Sequence, residues 1–138
     1  MEIKQVSVEC VDVFWDKVKG WLKGLLEDTD GRHTLETTYN LLKQGTMTMF
    51  LIIHDKKITA VVVTQKVYYP AKEVLCFLFV GGTKVCRYLK QIEDFMKEYA
   101  RSLGLDTVEC FGRKGWMKVM KKQNMTMKLS GYTYEFFA

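Results

Sequence analysis

The residues best suited to chemistry in this chain sit at two glycine-bearing junctions. Val80-Gly81-Gly82-Thr83 follows an apolar run, and Gly112-Arg113-Lys114-Gly115-Trp116 opens a basic helical stretch. A strand, a tight glycine turn and a helix N-terminus make a place for anionic groups, because unpaired backbone N–H groups and the helix dipole point at the same spot. A phosphate-bearing ligand suits such a place. The same residues also make a plain strand-to-helix turn, with Gly81 and Gly82 turning and Thr83 as helix cap, which needs no ligand.

Cys10, Cys76, Cys86 and Cys110 lie far apart without CxxC spacing, and only His33 and His54 are available to assist them. That pattern argues against a metal site. Three of the four fall in or beside expected strands or on a helix's apolar side, where free cysteine behaves as a small hydrophobe, so reduced core thiols are expected. A Cys/His nucleophilic pair would have to meet in space, since nothing local supports one.

Charge is unevenly placed. Residues 1–83 contain 10 Lys/Arg and 10 Asp/Glu, residues 84–138 contain 11 and 6, and the net charge of +5 therefore sits in the C-terminal part. Between residues 110 and 128, Arg113, Lys114, Lys118, Lys121, Lys122 and Lys128 stand with no acidic residue among them. Such a field attracts a nucleotide-type ligand, nucleic acid or an acidic protein, or is simply a solvated helix face.

Hydrophobic periodicity supplies the elements that must position these residues. Residues 3–9 alternate as a short strand with Val6 and Val8 on one side, and Asp12 is placed to cap a helix. In that helix Val11, Phe14, Trp15, Val18, Trp21, Leu22, Leu25 and Leu26 form one stripe. Gly20 and Gly24 within it mark either a close backbone approach or a tolerated cost of roughly 1 kcal/mol each. Residues 34–43 form a second helix, 46–54 and 58–69 a hairpin, and 73–80 a nearly unbroken apolar strand of the kind covered on both faces. Residues 84–103 carry a long helical stripe through Leu89, Ile92 and Met96. Residues 106–111 then return as a strand parallel to 73–80, 113–123 form the basic helix, and 125–129 with 132–137 form a final hairpin around Ser130-Gly131.

The order β-α-α-β-β-β-α-β-α-β-β implies an α/β protein, a mixed central sheet with helices on both faces. With 138 residues, 48% hydrophobic content, one proline and no low-complexity stretch, the chain reads as a single domain, 1–138. No stretch reaches the roughly 18 apolar residues of a spanning helix and none near the N-terminus resembles a signal peptide, so a cytoplasmic protein without membrane partners is expected.

That order resembles the GNAT fold, the fold of the Gcn5-related N-acetyltransferases, over nearly the whole chain. Gly112-Arg113-x-Gly115-Trp116 and Val80-Gly81-Gly82 further resemble small GNAT-like proteins of tailed bacteriophages and prophages. The resemblance implies acetyl-CoA between splayed fourth and fifth strands, with Phe79 and Val80 at the pantetheine and Gly81, Gly82, Thr83 and Lys84 at the pyrophosphate. Arg87, one turn further, is placed for a charge-assisted contact. Family members usually carry a longer Gln/Arg-x-x-Gly-x-Gly/Ala loop here, shortened in this chain to two adjacent glycines. Many also use a tyrosine in the helix after the fifth strand to protonate the leaving thiolate, and Met120 occupies that position. Methionine has no proton to donate. Tyr132 and Tyr134 are the replacement phenols, each also readable as an ordinary strand tyrosine, and Glu73 is the carboxylate for deprotonating an amine, or else a polar strand end. Trp116 reads as an anchor for its helix.

Two functions follow from the resemblance. One is acyl transfer, acetyl first, from CoA to a primary amine by a protein whose site departs from the family pattern. The other is a non-catalytic module that contacts phage structural or host proteins, in the host cytoplasm or the virion. Nucleic-acid binding through the basic helix ranks below both, because no recognisable module accompanies the charge.

Overall fold

A strand buried on both faces must be covered by helices, and the sequence places a helical stripe on each side of residues 73–80. The computed structural model describes residues 1–111, 114–125, 127–128, 130–131 and 135–137. Strands β1 (Glu2–Val6), β2 (Met47–His54), β3 (Lys57–Tyr69), β4 (Lys72–Gly82) and β5 (Val108–Cys110) form one sheet in that spatial order. The first four pair antiparallel and β5 joins β4 in parallel, as a helical crossover requires. Helices α1 (Val11–Glu27) and α2 (Leu35–Lys43) precede β2, α3 (Leu89–Ser102) makes the crossover, and α4 (Lys114–Lys122) follows β5.

The sheet separates two cores. On one face Val18, Leu22 and Leu26 of α1 and Leu42 of α2 pack on Met49, Leu51, Val61, Val63 and Phe79. On the other, Leu89, Ile92, Met96 and Ala100 pack on Phe50, Ile52, Val62 and Leu75, and Trp116 and Val119 of α4 lie against them. The expected contact of residues 84–103 with the fourth strand is therefore present, and that strand is interior to the sheet. Gly20 and Gly24 have no heavy atom near where a Cβ would stand, so they are a tolerated cost.

Several local expectations are corrected. Asp12 does not cap α1. It lies in the first turn, accepting hydrogen bonds from Lys43 Nζ at 2.7 Å and Tyr39 Oη at 2.5 Å, which tie α1 to α2 and, Lys43 first, hold its carboxyl below the usual range. Val8 belongs to a 3₁₀ turn, Val8–Cys10, that starts the helix, so β1 ends at Val6. Only Cys76 is a core thiol; Cys10, Cys86 and Cys110 are exposed, because the first two sit in short 3₁₀ turns at the surface and the third ends a three-residue strand. In the expected final hairpin, Met125, Met127, Lys128, Ser130, Gly131 and Glu135 to Phe137 lie in no strand, while Thr126, Leu129 and Tyr132 to Tyr134 lie outside the described residues. A hairpin gains its stability by joining a sheet edge, and β5 is only three residues long.

Candidate ligand-binding site at the opening between β4 and β5

β3 pairs with β4 along its whole length, from Tyr69↔Lys72 to Ala60↔Gly82. β5 pairs only with Leu75, Cys76 and Phe77. Beyond Phe77, residues 78–82 of β4 have β3 on one side and, among the described residues, no strand on the other. A bulge marks the point of divergence. Val63 opposes Phe79 and Thr64 opposes Phe77, which leaves Leu78 as the extra residue on β4. Because the bulge interrupts the alternation, Leu78 and Phe79 both face α1 and α2, whereas Phe77 and Val80 face α3. Phe111, next after β5, is 70% exposed at this end of the sheet. An unpaired strand edge offers N–H and C=O groups to any extended amide-bearing chain laid beside it.

Gly81 and Gly82 are corrected from turn to strand: both are in the β4 ladder. Packing explains them. A Cβ on Gly81 would stand 2.8 Å from Leu25 Cδ1 and 3.3 Å from the Trp21 carbonyl oxygen of α1. One on Gly82 would stand 2.4 Å from the Thr59 carbonyl oxygen, and Gly82 has φ of +137°, a conformation open essentially to glycine alone. Close approach of α1 and β3 requires these glycines whether or not anything binds.

Thr83 is likewise not a helix cap. A second bulge, at Thr59, directs that residue's carbonyl to Thr83, which donates its N–H at 2.9 Å and its hydroxyl at 3.4 Å. With Thr83 held by β3, the helix begins later. Lys84 adopts a left-handed conformation at φ 56°, Val85–Tyr88 form a 3₁₀ turn, and α3 starts at Leu89. Lys84 and Arg87 are exposed along this turn. Gln123, following α4, braces it by donating to the Cys86 carbonyl and accepting the Lys90 N–H at 3.3 Å. Two cations on a braced turn at the end of an open strand can hold a diphosphate, though the Thr83 N–H is already used.

The other expected residues are not gathered here. Glu73 is exposed at the opposite end of β4, paired across to Tyr68, and at about 3.3 Å per residue it lies roughly 20 Å from Phe79. Tyr132 and Tyr134 lie outside the described residues, as do Gly112 and Arg113. Met120 is half-buried on α4. Burial pushes the Cys76 thiol up to about 12, which keeps it protonated and unreactive. Among the described residues no group of His, Cys, Asp and Glu is placed to hold a metal, and no helix is long and apolar enough to cross a membrane.

One side chain, expected only as a possible partner of a cysteine, packs on Phe79 of the open part of β4. His33, in the connection between α1 and α2, lies edge-on to Phe79 with ring centroids 5.3 Å apart at 84°.

No protein-family model matches the chain, and no curated protein sequence matches it. Solved structures do. The BH1408 protein of Bacillus halodurans, as a tetramutant, superposes with a TM-score of 0.70 at 12% identity, covering 100% of both chains. An aminoglycoside acetyltransferase from an uncultured soil metagenomic sample, in complex with sisomicin, gives 0.66 at 12% identity over 99% of this chain and 96% of that one. A predicted acetyltransferase with acetyl-CoA from Clostridium acetobutylicum gives 0.65 at 9% identity over 97% and 95%. At these identities the likeness is one of fold, and the fold is GNAT-like, as the order of elements implied.

Proposed function

We propose that this protein is an acyl-CoA-dependent N-acyltransferase, with acetyl-CoA as donor substrate and a primary amine as acceptor. The observation that carries the reading is the open edge of β4 beyond the Leu78 bulge, where β5 has ended and β3 still holds the strand in place. In this reading the amides of a pantetheine arm pair with the backbone of Phe79 and Val80, continuing the sheet as a fifth-strand surrogate would. Lys84 and Arg87 face the diphosphate from the braced turn. An amine placed at the bulge meets the thioester carbonyl, and a strand-end N–H stabilises the oxyanion as the C–N bond forms. The names of the superposed structures support the class: two are acetyltransferases, one with acetyl-CoA and one with an aminoglycoside.

Glu73 receives no role, since a proton would have to travel most of the strand's length. The departing thiolate takes its proton from water or from Tyr132 or Tyr134. The one observation favouring a non-catalytic module is Met120, where the resemblance places a phenol. The phage setting rests on the resemblance of Gly112-Arg113-x-Gly115-Trp116 and Val80-Gly81-Gly82 alone. Calorimetric titration with acetyl-CoA, followed by a transfer assay over a panel of small amines, tests the reading. Binding with slow turnover is expected, because absence of a general acid typically costs about 10²- to 10⁴-fold. Binding with no transfer to any amine would favour the non-catalytic module, and no binding would refute the site itself.

A further inference from the structure

We infer that His33 is the base that takes the proton from the amine acceptor, an inference that rests on the acyl-transfer reading and adds a residue to it. The backbone around His33 is held on both sides. The His33 N–H donates to Thr29 Oγ1 at 3.1 Å, and that hydroxyl donates to the Leu26 carbonyl at 2.7 Å, fixing the loop to the last turn of α1. On the other side Thr34 and Thr37 form the reciprocal capping box that starts α2. A loop tied at both ends places the ring reproducibly. It places it against Phe79, the first residue past the bulge where β4 loses β5.

The state of the ring suits the task. Partial burial, and after it the Arg32 guanidinium, hold the imidazole below its usual 6.5, so it is neutral at physiological pH. The charged group acting on the ring is Arg32 of its own loop, and Arg32 pairs with Glu135 of the C-terminal segment. β4 brings only the uncharged Phe79. A neutral imidazole has a ring nitrogen free to accept a proton from the acceptor ammonium.

The step balances. The acceptor ammonium gives one proton to the free imidazole nitrogen, and its lone pair attacks the thioester carbonyl carbon to form the C–N bond. The tetrahedral adduct collapses with cleavage of the C–S bond, the electron pair leaving on sulfur. The adduct nitrogen gives its second proton to water, the thiolate takes one from water or through Tyr132 or Tyr134, and the imidazolium returns its proton to water. The products are the amide, the free thiol and one released proton.

The test compares wild type with His33→Gln and His33→Asn by calorimetry with acetyl-CoA, by NMR titration of the imidazole, and by the pH dependence of kcat/KM. Expected results are an imidazole titrating below 6.5 in the wild type and an acid limb of kcat/KM at the same pH. Both variants should lose about 10²-fold or more in kcat/KM together with that limb, while binding acetyl-CoA with unchanged affinity. If the variants bind acetyl-CoA and keep the acid limb, or lose less than about threefold in rate, His33 is not the base and the donor site stands. Binding without turnover in the wild type overturns the role of His33 and the acyl-transfer reading together, and leaves the donor site. Absence of binding in the wild type overturns the acyl-transfer reading and this inference with it.

Discussion

Lys84 and Arg87 stand exposed on the turn that joins β4 to α3. Their substitution by alanine should leave the fold intact, since neither side chain is buried. Together the two changes should weaken acetyl-CoA binding roughly tenfold, and added salt should erase the difference. Calorimetry at two ionic strengths checks this; equal affinity of variant and wild type would place the diphosphate elsewhere. Thr83 could not be read correctly from its neighbours. A threonine after two glycines and before an amphipathic stripe looks like a helix cap, but the competing acceptor is the carbonyl of Thr59, and only the bulge in β3 brings it within 2.9 Å. His33 was similarly hidden, because what gives it meaning is a contact with Phe79, 46 residues away in sequence.

At the scale of elements the periodic segments were the legible ones. The α1 stripe buries Val11, Val18, Leu22 and Leu26, and the α3 stripe buries Leu89, Ile92, Met96 and Ala100, as 3.6-residue spacing demands. The β4 segment was legible as an interior strand for the same reason, an apolar run too continuous to have a wet face. Boundaries were less so. The glycine pair was read as a turn because glycine commonly turns, yet here it permits α1 and β3 to approach the end of a strand. Gly82→Ala should therefore cost about 2 to 4 kcal/mol in urea denaturation, from a strained φ and a Cβ 2.4 Å from the Thr59 carbonyl oxygen. Gly81→Ala should cost less, since the nearest atom is the movable end of Leu25. Unchanged stability in Gly82→Ala would mean that β4 ends before this residue. A loss of ligand binding in Gly82 variants is consequently a poor probe of the ligand site, because the strand itself is damaged.

In the whole molecule one sheet divides two helical layers, and the opening lies where both layers meet the end of β4. Leu78 and Phe79 look toward α1 and α2, and Val80 and Phe77 toward α3, so a ligand entering between β4 and β5 would touch both cores. In the proposed reading this opening takes the donor as an added strand. Amide hydrogen exchange with and without acetyl-CoA checks this, because a strand edge that gains a partner gains protection residue by residue. Slower exchange confined to residues 78–87 and the His33 loop is expected, with β1 and β2 unchanged. Saturating acetyl-CoA that leaves residues 78–87 exchanging as before, or protects only the far end of β4 around Glu73, would contradict it.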